Sequence, residues 1–62
     1  MAEFETIMSV VYADIKQNIE LGKYEAIIPL RDMGGYSVEV IARLRKEFYF
    51  VIAGNDGILV EW

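Results

Sequence analysis

The chain has 62 residues, with ten Asp and Glu against six Lys and Arg, a net charge of −4, and no His or Cys. Those counts exclude zinc sites built on the usual Cys and His ligands, thiol nucleophiles, Ser-His-Asp relays and disulfide frameworks. The acidic balance also counts against a general nucleic-acid binder, which normally carries a basic surplus.

A single domain spanning 1–62 is expected at this length. Its composition is 55% hydrophobic and includes one Trp, four Tyr and three Phe, a large apolar load for a domain with a poor surface-to-volume ratio. Without staples, either very good packing or oligomerisation must supply stability, and a homo-oligomer is expected. No apolar run approaches the roughly 18 residues of a membrane span. The Met-Ala-Glu-Phe-Glu start lacks the basic residues of a secretory signal. A soluble cytoplasmic protein with no membrane partner is the expectation.

The first segment, Glu3 to Leu21, reads as a helix. Phe4, Met8, Val11, Ile15 and Ile19 recur at three- and four-residue steps, with Ile7 widening the stripe. Gly22 stands where a left-handed residue would end it. Val10 and Tyr12 fall off the stripe, as scattered surface positions or as a contact with a second subunit. Tyr24 to Leu30 reads as a strand, with Tyr24, Ala26, Ile28 and Leu30 on one face and Lys23, Glu25 and Ile27 on the other. Pro29 marks an edge or the strand's end, because it cannot donate to a ladder.

Arg31 to Tyr36 is a loop containing Gly34-Gly35, and Ser37 is placed to cap a second helix. In that helix Val38, Ile41, Leu44 and Phe48 have helical spacing, and Arg43, Arg45 and Lys46 compensate its C-terminal dipole. Phe48 to Ala53 reads as a strand, Gly54-Asn55-Asp56-Gly57 as a turn, and Ile58 to Trp62 as the return strand. Ile58, Val60 and Trp62 share one face of the return strand, and Leu59 and Glu61 the other. Phe48, Phe50 and Ile52 are assigned to the core face of the preceding strand, and Tyr49, Val51 and Ala53 to the opposite one. An apolar run on both faces predicts a central strand. The order is α-β-α-β-β, an α+β fold with a three-stranded mixed sheet and both helices on one face.

Gly22-x-Tyr24, Val40-Ile41-x-x-Leu44 and the terminal Val60-x-Trp62 resemble a pattern found in small tailed-phage proteins. There a leading helix precedes a Gly-x-Tyr strand, followed by a V-I-x-x-L helix, a Gly-Tyr-x-Val strand, a turn and a closing I-x-W. Glu47-Phe48-Tyr49-Phe50 departs from the pattern where Gly-Tyr is expected. The resemblance implies the same element order and a phage origin. It transfers no catalytic or binding residue.

Two surfaces are candidates for function. The loop residues Arg31, Gly34, Gly35, Tyr36 and Ser37 combine a close-approach backbone, a helix N-terminus, a guanidinium and a stacking ring, which suits a phosphate-bearing, nucleotide-like small molecule. Ordinary turn and cap grammar explains the same residues. Val10, Tyr12, Tyr49, Val51 and Leu59 form the expected interface set, since monomers seldom expose a large apolar patch. No carboxylates have metal-binding or paired acid-base spacing, and Ser9 and Ser37 have no activating group. A non-enzymatic protein with no cofactor or metal is expected, acting against host defence or signalling by sequestering a small molecule. The alternatives are an inhibitor or adaptor that binds a host protein through the open sheet face, and an accessory virion protein.

Overall fold

The computed structural model describes residues 3–62, so Met1 and Ala2 of the acidic start lie outside the described residues. The elements are α1 (Glu3–Glu20), β1 (Glu25–Pro29), a 3-10 turn (Leu30–Met33), α2 (Ser37–Lys46), β2 (Phe50–Ala53) and β3 (Gly57–Glu61). The α+β class and the α-β-α-β-β order agree with the sequence reading.

The sheet runs β1-β3-β2, and both neighbouring pairs are antiparallel. The expectation of a mixed sheet is corrected on this point. The tight turn after β2 forces β3 back alongside it, and β3 then accepts β1 on its other edge. Strands β1 and β2 therefore run parallel to each other but never touch, with β3 between them. Strand β2 is an edge strand, not the central one. Its apolar run on both faces reflects one buried face and one uncovered face.

Helix α1 buries Met8, Val11 and Ile15, with Phe4 and Ile7 packed at the margin, as the stripe predicts. Ile19, the last stripe residue, is half exposed. In α2 the buried pair is Val40 and Leu44, one turn apart, flanked by Ile41. Val38 and Phe48, assigned to that face from spacing, are exposed. Both helices meet the same sheet face, whose buried side chains are Ala26 and Ile28 of β1, Ile58 and Val60 of β3, and Val51 of β2. No polar side chain is buried among the described residues. The core is held by apolar packing alone.

Both helices end in the same hydrogen-bonded motif. After α1, Gly22 N–H donates to Ile19 O at 3.0 Å and Lys23 N–H to Asn18 O at 2.9 Å, with Gly22 at φ 79°. After α2, Phe48 N–H donates to Arg45 O and Tyr49 N–H to Leu44 O, both at 3.0 Å, with Phe48 at φ 73°. Glycine adopts that left-handed conformation freely, whereas a side-chain-bearing residue is strained there by about 1–2 kcal/mol. This termination takes up Phe48 and Tyr49, so β2 begins two residues later than the predicted strand.

The β2–β3 hairpin is closed by a Gly54 N–H to Gly57 O bond at 2.8 Å, and Leu30 N–H donates to Asp56 O at 2.8 Å, tying the 3-10 turn to the hairpin tip. Gly57 faces Pro29 across the β1–β3 ladder, where a Cβ would come within 2.2 Å of the Ile28 carbonyl oxygen. Only glycine fits there. At the other end of the ladder, Trp62 donates its backbone N–H to Tyr24 O at 3.1 Å and its indole N–H to Lys23 O at 3.2 Å.

Candidate functional site: an uncovered sheet face

Alternation along each strand decides what the second sheet face carries. Because Ala26, Ile28, Ile58, Val60 and Val51 point into the core, the residues between them point away. The registers align these outward residues into rows. Ile27 faces Leu59, which faces Ile52, giving one apolar row across all three strands. Glu25 faces Glu61, which faces Phe50, giving a second row. Pro29 and Gly57 form a third row almost without side chains. Ile27 is 73% exposed, Phe50 61% and Ile52 48%. No element of the described chain covers them.

A groove adjoins this face, and an exposed aromatic precedes it along the chain. A shallow groove of about 290 Å³ runs beside β1, lined by Asn18, Lys23, Glu25, Ala26 and Ile27, so that it meets the face at Glu25 and Ile27. Phe48, two residues before Phe50, is 96% exposed as well as left-handed. Helix termination needs neither a phenyl ring nor its strain. A strained and almost fully exposed aromatic makes Phe48 a candidate contact residue.

The face assignment made from sequence is reversed in β2. Val51 is fully within the core, and Tyr49 is half-buried on the helix-covered side, where it meets Trp62 edge-on with ring centroids 6.4 Å apart. Of the interface set, Leu59 alone of the strand residues lies on the open face. Val10 is exposed on α1, and the Tyr12 hydroxyl donates to Glu47 Oε1 at the end of α2. The structure therefore does not bring these five residues together. Ile27, Phe50 and Ile52 were missed. The signal for them was present in the hairpin: a residue opposite Glu61 across a tight turn must share its face, and counting back from Glu61 reaches Phe50.

The Arg31–Ser37 loop has a local structural role. Gly34 lies against α1, where a Cβ would stand 2.9 Å from Ile7 Cδ1. Tyr36 packs its ring on Phe4 at 5.7 Å and donates its hydroxyl to Glu3 Oε1 at 3.4 Å, so the ring is already occupied. Ser37 is the first helical residue of α2, not its N-cap. Tyr36 holds the cap position: its carbonyl accepts from Val40 N–H at 2.8 Å, while its hydroxyl is turned to Glu3 and caps no helical N–H. Gly35 has open space around it, and the Arg31 side chain is 84% exposed, with Asp32 at 4.0 Å. Gly35 and Arg31 thus lie open to solvent.

The two arginines of the basic cluster of α2 are taken up by separate partners. Arg43 reaches Glu5 at 3.6 Å and lies 5.3 Å above the Phe4 ring. Arg45 donates to the Val51 carbonyl of the edge strand at 2.9 Å, occupying an acceptor that another strand would otherwise use. Among the described residues no group of three or more acidic side chains converges to hold a metal ion, and no helix is long and apolar enough to cross a membrane. No family model, curated protein or solved structure matches this chain.

Proposed function

We propose that this protein is a non-enzymatic binding module that docks another protein on its uncovered sheet face. The observation that carries this reading is the Ile27–Leu59–Ile52 row, with Phe50 beside it, left open on a domain whose other sheet face carries the buried core. Fully burying a large apolar side chain contributes about 1.5–3 kcal/mol. Association itself costs at least about 4 kcal/mol, so several anchors are needed before binding becomes favourable. The face and its margin supply them in Ile27, Phe50, Ile52 and Phe48. Under the phage resemblance the partner is a host protein, and the module acts as an inhibitor or adaptor.

Sequestration of a phosphate-bearing small molecule at the Arg31–Ser37 loop is the second reading. It has one observation in its favour, the exposed guanidinium of Arg31 with only a 4.0 Å approach to Asp32. A photo-crosslinking residue placed at Phe50 or at Arg31 separates the two in cells that make the protein. The expected result is a protein-sized adduct from position 50 that disappears when Ile27 and Ile52 are replaced by Thr. A small-molecule adduct from position 31, with none from position 50, would overturn the docking reading.

A further inference from the structure

The uncovered face contains a feature that apolar docking does not explain. Glu25 and Glu61 are direct cross-strand partners on that face, and neither has an ion pair among the described residues. Like charges placed directly opposite one another destabilise a sheet, their Cβ atoms lying about 5 Å apart. Lys23 lines the same groove as Glu25 without pairing to it. The two carboxylates stand in the row beside the apolar one, about 7 Å along the strands from Ile27 and Leu59, and Phe50 completes their row.

Resting on the docking reading above, we infer that the occupant of this face is a segment of a different protein that places a Lys or Arg between Glu25 and Glu61 and apolar side chains over Ile27, Leu59 and Ile52. An arginine fits the pair best, since its planar guanidinium donates in a fork to two carboxylate oxygens at once. A second copy of this chain is a poor occupant. The outward rows hold no cation and Lys23 lies beside them in the groove, so stacking two such faces in register would set carboxylates against apolar side chains, which is unfavourable. The spacing required of the partner is that of alternate residues on a strand, or of residues one turn apart on a helix.

The test selects binders from a displayed library of random peptides about twelve residues long, using the full chain as bait. The selected peptides are synthesised, and their affinity is measured for the native protein, for the Glu25→Gln/Glu61→Gln variant and for the Ile27→Thr/Ile52→Thr variant. Sedimentation of each protein alone accompanies the series, with circular dichroism to confirm folding. The expected result is enrichment of Lys or Arg within two to four positions of apolar residues, and binding that weakens tenfold or more in the Gln variant and with added salt. Apolar peptides without basic enrichment, binding the Gln variant as well as the native protein, would overturn the cation inference and leave the docking face standing. Peptides indifferent to the Thr substitutions would overturn the docking face itself. A dimer of the native chain that is lost in the Thr variant would show that a second copy occupies the face, against the inference.

Discussion

Phe48 and Tyr12 show how single side chains record the division between stability and recognition. Phe48 occupies a position that Gly22 fills at the end of the other helix, in the same motif and with nearly the same backbone angle. Replacing Phe48 with Gly should relieve the left-handed strain, less the extra freedom glycine gives the unfolded chain. The expected gain is about 0.5–1 kcal/mol, read as a rise in the urea midpoint. The same variant should bind a partner less well if the ring is an anchor. Tyr12 behaves in the opposite sense. Desolvation holds its pKa above the ordinary tyrosine value, reinforced by the hydrogen bond it donates to Glu47, while Arg43 opposes the shift. A raised pKa in the folded state means stability that is complete below about pH 10 and lost as pH climbs through the folded value. Tyr12→Phe should therefore cost up to about 1 kcal/mol at neutral pH, and the gap to the native protein should narrow above pH 10 in denaturation series.

Among the elements, the β2–β3 hairpin decides the most. It places β3 at the centre, makes every neighbouring pair antiparallel, and fixes which side of β2 meets the helices. Gly57 anchors the β1 side of that arrangement through its close approach to the Ile28 carbonyl, whereas a Cβ at Gly54 would meet only ordinary contact at 3.5 Å. Gly57→Ala should cost about 3 kcal/mol or more by forcing β1 and β3 apart, and Gly54→Ala about 1 kcal/mol or less, in parallel urea melts. Helix α1 was legible because its apolar residues recur at helical spacing, and β1 and β3 because each carries one carboxylate, Glu25 or Glu61, that marks its outward side. Strand β2 was not, since Phe50, Val51 and Ile52 are all apolar and their alternation has no sign. Its parity comes only from the Val51–Val60 register across the turn. The left-handed Phe48 was equally hidden, because a position usually filled by glycine holds an aromatic that reads as strand.

At the scale of the whole molecule, two helices and a three-stranded sheet complete one core and leave one face without cover. The high apolar content correctly signalled more hydrophobic surface than the fold can bury. What it did not reveal was where that surface lies, because the candidate loop was judged by its glycines and the open face by a strand whose parity was reversed. In three dimensions Gly34 is accounted for by its left-handed backbone and Tyr36 by its packing on α1, while Ile27, Phe50 and Ile52 have no internal role of that kind. The most direct measurement is a ¹⁵N chemical-shift titration of the full chain with a peptide selected for binding to it. The expected result is that perturbations concentrate on the outward residues of β1, β3 and β2, with Phe48 at their margin. Perturbations concentrated on Arg31 to Ser37 instead, with the sheet face unchanged, would contradict the docking face and return the site to the loop.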